Sequence, residues 1–126
     1  KAKRNNEQEI SDYFKILNHK RLVDIIRIDD YIKENSIKKI NLLKIDTQGF
    51  EPEVLEGLGK RIKNVDVILT ELMFYDYYEK SLSFTDIEKF LLPAGFKFYD
   101  ISHISKNPMN GRTDWVDVIY INSLSF

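Results

Sequence analysis

"LLKIDTQGFEPEVLEGL", residues 42–58, decides how the chain is read. An apolar run takes on Lys44 and Asp46, breaks at Gly49, and resumes behind Pro52 as an acidic amphipathic segment. Proline suits the first turn of a helix, where its missing N–H is no loss, and Glu51 and Glu53 suit the positive helix start. Val54, Leu55, Leu58 and Ile62 then fall on one helical face. The stretch therefore reads as strand, tight turn, helix. Its strand, "INLLKID" (40–46), is apolar on both faces apart from Lys44, as expected of a strand buried between helix layers.

Working outward, "VDVILTEL" (65–72) is a second, nearly continuous apolar strand. "LVDIIRI" (22–28) is β-branched and reads as a strand, with Asp29 or Asp30 capping a short helical "YIKENS" behind it. Thr85 and Glu88 form a capping-box pattern ahead of Ile87, Phe90 and Leu91, and Pro93 with Gly95 closes that helix. "FKFYDISHI" (96–104) and "WVDVIYI" (115–121) flank a turn-rich segment and pair as an antiparallel hairpin. Ile10, Tyr13, Phe14 and Leu17 recur at helical spacing, so residues 1–21 read as a polar lead-in followed by one amphipathic helix. Strands alternating with helices predict a three-layer α/β fold with a mostly parallel sheet, in one domain over residues 1–126.

Composition bounds the function. Nineteen basic against twenty acidic residues give a net charge of −1, which supplies no electrostatic case for nucleic acid or an anionic membrane as partner. With no cysteine, disulfides, thiolate catalysis and Cys-based metal sites are excluded. His19 and His103 are far apart in sequence, so no metal site is expected. No apolar stretch approaches the ~20 residues of a membrane span and no signal peptide is evident, so a cytoplasmic location is expected. The single G-x-G, at 57–59, falls inside the expected helix, and neither G-x-G-x-x-G nor a P-loop occurs. "DTQG" without a P-loop carries no weight for nucleotide hydrolysis, and no G-x-S-x-G elbow exists.

Chemistry is expected where open α/β sheets bind ligands, beyond the carboxyl ends of their strands. Asp46 and Glu71 fall at two such ends. Burial beside Leu and Ile would be costly for either carboxylate, so both are expected to face a polar crevice, shared if the strands are neighbours. The structural alternatives are that Asp46 caps the helix at Pro52 and that Glu71 pairs with a lysine. "FYDYY" (74–78) stands at the same sheet edge, with Tyr75 and Tyr77 as candidate walls for a sugar-like or aromatic substrate or as ordinary packing. Arg112 belongs first to the turn "GRTD" and only secondarily to an anion clamp.

"INLLKIDTQGFEPEVLEGL", "VDVILTEL" and "GRTDWVDVIYIN" together resemble the C-terminal half of FkbM-type methyltransferases. The carrying residues are Lys44, Ile45, Asp46, Gln48, Gly49 and Glu51, then Glu71 and Asp117, over roughly residues 22–122. The resemblance implies a Rossmann-like (class I methyltransferase) sheet and S-adenosylmethionine as cofactor, usually for O-methylation. It further implies a hydroxyl acceptor on a sugar, glycan or other small molecule. Asp46 is the first choice to orient or deprotonate that hydroxyl, with Glu71 second and Glu51 in support; Asp46, Thr47 and Gln48 would face the cofactor. Gly49 would permit the tight turn. Two departures matter: Gln48 stands where many members carry Glu, and the family's glycine-rich cofactor half is missing. This chain is therefore expected to bind the cofactor weakly or not at all. A second reading is a non-catalytic α/β interaction module derived from a truncated methyltransferase. A sheet without its first strands leaves an edge at "INLLKID" or "LVDIIRI" open, which predicts self-association or a separate N-terminal half.

Overall fold

The computed structural model describes residues 22–74 and 82–125. In chain order they form α1 (Ile28–Glu34), β1 (Ile40–Ile45), α2 (Glu51–Leu58), β2 (Val65–Met73), α3 (Phe84–Leu91), β3 (Phe96–Lys106) and β4 (Thr113–Asn122). The lead-in helix expected within residues 1–21 lies outside the described residues.

The central reading holds: β1, a turn, and α2 with Pro52 in its first turn and Glu51 and Glu53 beside its start. Leu55, Leu58 and Ile62 bury their side chains as the periodicity expects. At α3 the cap sits two residues earlier than Thr85. Ser83 and Asp86 make the capping box, with the Ser83 backbone N–H and Oγ donating to Asp86 Oδ2 at 3.1 and 2.8 Å. The backbone is still extended at Ser83, so the helix begins there. Gly95, in left-handed conformation at φ 93°, ends the short turn Leu92–Ala94 that closes α3.

"LVDIIRI" is not a strand here. Residues 22–27 carry no regular structure, and α1 already starts at Ile28. Strand propensity needs a pairing neighbour to be expressed, and no described strand lies beside this segment. Neither aspartate caps α1: Arg27 is at the cap and forks onto Asp29 at 3.1 Å.

The sheet order is β1-β2-β4-β3. Only β1 and β2 pair in parallel; β4 runs antiparallel to both β2 and β3, so the sheet is mixed rather than mostly parallel. The cause is the C-terminal hairpin, expected from the sequence, whose second strand inserts between β2 and β3 instead of adding at the rim. Burial alternates along β4 and along β2 beyond Asp66, with Ile68, Thr70 and Leu72 opposite Tyr120, Val118 and Val116 on one face. Buried residues of all three described helices join that one cluster. Two layers rather than three are therefore seen among the described residues. Asn122 closes the core from the C-terminal side, donating to the carbonyls of Val65 (3.1 Å) and Lys63 (3.3 Å).

Candidate functional site

The site grows from the turn between β1 and α2. The chain reverses through Gln48 and Gly49, both at positive φ (55° and 107°), which is cheap for glycine and costly for glutamine. Glu51 holds that turn in place. Its side chain is buried, and its carboxylate accepts from the Thr47 N–H (2.8 Å), the Thr47 hydroxyl (3.1 Å) and the Gly49 N–H (2.9 Å). A buried carboxylate is tolerable only with such partners, and here they are the loop's own donors.

Asp46 and Glu71 do meet. The last paired residues of β1 and β2 are Ile45 and Thr70, so the next position on each strand carries one of the two acids. Gln48 joins them: its Nε2 donates to Asp46 Oδ1 at 3.2 Å and to Glu71 Oε1 at 3.4 Å. Lys44 donates to Asp46 Oδ2 at 3.1 Å from the same strand. Asp46 thus does not cap α2, whose N-terminus has no side-chain cap. Glu71 bonds to Gln48, and no described lysine pairs with it. On its other side Glu71 is opposite Asp117 of β4, which is in turn opposite His103 of β3. Asp46, Glu71, Asp117 and His103 therefore form a transverse row near the carboxyl ends of β1, β2 and β3.

The two joined acids are electrostatically unlike. Hydrogen bonds from Lys44, then Gln48, hold Asp46 below the usual carboxylate range. Burial raises Glu71, and the neighbouring charges of Asp46, Asp117 and Glu51 add to the rise. One acid stays ionised while the other takes a proton more readily, a division suited to proton transfer.

Tyr75 and Tyr77 lie outside the described residues. Arg112 donates through Nη2 to the Phe74 carbonyl at 3.3 Å, bracing the chain where it leaves β2. Among the described residues no group of three His, Cys, Asp or Glu side chains is arranged to hold a metal ion. No described helix is long and apolar enough to cross a membrane. The sequence reading missed how deeply Glu51 is committed to the turn; the signal was an acid two residues behind a glycine that must adopt left-handed angles. It also placed Asp117 only by resemblance, because nothing local tells which strand will lie opposite Glu71.

Residues 2–98 match the family model described as the Methyltransferase FkbM domain. No curated protein and no solved structure matches the chain.

Proposed function

The chain belongs to the FkbM methyltransferase domain family, and from that premise we propose that it forms the C-terminal, acceptor-handling part of a Rossmann-like, S-adenosylmethionine-dependent O-methyltransferase. The acceptor is a hydroxyl on a sugar, glycan or other small molecule. The observation that carries this reading is the Gln48-joined pair of Asp46 and Glu71 at the carboxyl ends of two adjacent parallel strands. Ligands of open α/β sheets bind at such ends. The strand directions support the fold: β1, β2 and β3 run the same way, with β4 alone reversed between β2 and β3.

S-adenosylmethionine, when bound, supplies an electrophilic methyl group. The described residues do not fit that cofactor by themselves. The turn after β1 has the form of an anion cradle, yet its donors at Thr47 and Gly49 are already taken by Glu51. Asp46, expected to face the cofactor, is engaged by Lys44 and Gln48. The part of the reaction assigned to this chain is accordingly the acceptor's. Asp46, kept ionised by Lys44, orients the hydroxyl by accepting its hydrogen bond. Glu71, made the stronger base by burial and its acidic neighbours, receives the proton on its ionised carboxylate as the oxygen gains its methyl group. These roles exchange the order expected from sequence, and the physical reason is that Lys44 makes Asp46 the weaker base. Glu51 supports both acids indirectly, through the turn that carries Gln48.

The test is methyl transfer from isotopically labelled S-adenosylmethionine to a panel of sugars, glycans and small alcohols by this chain joined to a cofactor-binding half, read by mass spectrometry. A labelled methyl ether is expected, with Glu71→Gln lowering its rate roughly 100-fold or more, the usual reach of general acid–base catalysis. Methylation of nitrogen or carboxylate acceptors alone would refute the O-methyl assignment. Undiminished rate in Glu71→Gln would remove Glu71 from the mechanism. The committed donors at Thr47 and Gly49 favour the second reading, a non-catalytic interaction module, and an absence of transfer to every acceptor class would support it.

A further inference from the structure

Gln48 holds a backbone conformation that is unfavourable for glutamine. At φ 55° it lies in the left-handed region, where Cβ crowds the following carbonyl. Glycine visits this region freely, and asparagine more readily than other side chains. Gln48 is exposed, so no core packing of its side chain offsets the cost. Nor does the turn depend on a glutamine at this point. The residues on either side, Thr47 and Gly49, fasten it by donating to buried Glu51.

What the glutamine supplies is its side-chain amide. A primary amide nitrogen carries two N–H donors, and Nε2 directs bonds to two different acids, Asp46 Oδ1 at 3.2 Å and Glu71 Oε1 at 3.4 Å. These acids end adjacent parallel strands and repel each other; after burial, the charge of Asp46 is the largest influence raising Glu71. Lys44 donates to Asp46 and not to Glu71, so among the described residues Gln48 is the side chain that hydrogen-bonds to both. Glycine at this position has no amide, and asparagine ends one methylene shorter. Glutamate brings a third negative charge and no donor.

We propose that Gln48 is the positioning residue of the acid pair: its left-handed backbone is kept, against its conformational cost, so that one amide spans Asp46 and Glu71 and presents them together. Strain of this kind persists at functional sites where the surrounding structure enforces it, and Glu51 is the enforcing group here. Gln48 is not a catalytic residue, because it acts on the acceptor only through the two acids. The purpose given to the pair rests on the methyl-transfer reading; the spanning of the two acids does not.

Gln48→Gly and Gln48→Asn both suit left-handed backbone, so they remove the reach of the amide and retain the turn. In this chain alone, carbon NMR of the side-chain carboxyl groups follows Asp46 through a pH titration, and urea denaturation follows the fold. Both variants are expected to unfold at a urea midpoint no lower than that of the wild type. In both, Asp46 is expected to titrate at higher pH than in the wild type, because the amide, after Lys44, favours its ionised form. The other charged groups around the pair, Lys44, Glu51 and Asp117, are unchanged in these variants. In the chain joined to a cofactor-binding half, both substitutions should slow methyl transfer about 10-fold or more, the scale of misplaced reacting groups. An unmoved Asp46 titration overturns the proposal. So does a lowered urea midpoint in both variants, which would make Gln48 a residue of the turn alone, or undiminished methyl transfer in Gln48→Gly. An inactive wild-type fusion counts against the methyl-transfer reading instead, and the titration and denaturation then decide the role of Gln48.

Discussion

Glu51 does its work by withdrawing from solvent. Thr47 and Gly49 bring three hydrogen bonds to its two carboxylate oxygens, so the turn geometry of Gln48 depends on a buried acid. Replacing it with glutamine would set an amide donor against the Gly49 N–H. Glu51→Gln is expected to lower unfolding stability by roughly 2 kcal/mol, the usual cost of leaving a buried hydrogen-bonding group unmatched, as read by urea denaturation. Asp46 and Glu71 contribute to stability with opposite signs. Asp46 is held below its ordinary range, so its contribution is present above that range and is lost as pH falls through its folded value. Glu71 is raised; the folded state holds its proton more tightly, and stability therefore falls as pH rises from the ordinary glutamate range through its folded value. Glu71→Gln should consequently stabilise the protein at neutral pH, by up to about 0.5 kcal/mol for a partly exposed site facing the like charge of Asp117. In acid the gain should vanish. Thermal melts from pH 3 to pH 7 measure both slopes, and a variant equally stable with wild type throughout would show that Glu71 feels neither burial nor Asp117.

At the scale of the element, α3 shows how a short-range pattern can be right in kind and wrong by two residues. Both Ser83-x-x-Asp86 and Thr85-x-x-Glu88 satisfy the capping-box spacing, and the extended backbone at Ser83 selects the first. Ser83→Ala is expected to cost about 1 kcal/mol in unfolding free energy, while Thr85→Ala, inside the first turn and exposed, should stay within roughly 0.5 kcal/mol. Equal losses from the two substitutions would contradict the observed cap. The same contrast governs the strands. β1, β2 and the hairpin strands lie close to where their apolar runs predict, because each acquires a partner along its length. "LVDIIR" has equal propensity but no described strand beside it, and stays irregular.

At the scale of the whole molecule, the cofactor question turns on which donors are free. The one described turn that leads directly from a strand into a helix through glycine has Thr47 and Gly49 bound to Glu51. Titration calorimetry is therefore expected to find no micromolar binding of S-adenosylmethionine to these 126 residues; micromolar affinity would mean that the site is built from other groups. What sequence alone determined was local: the strand–turn–helix at 40–58, the left-handed Gly49, the apolar face of α2, the C-terminal hairpin, and the acids Asp46 and Glu71 at strand ends. Each depends on periodicity or on the conformational limits of a few adjacent residues. Tertiary structure alone decided that β4 inserts between β2 and β3, making the sheet mixed and setting Asp117 opposite Glu71. It also decided that Glu51 is buried and that Lys44 belongs to Asp46. Strand order and the sharing of buried donors are settled by contacts between residues far apart in the chain, and those contacts leave no period in the sequence.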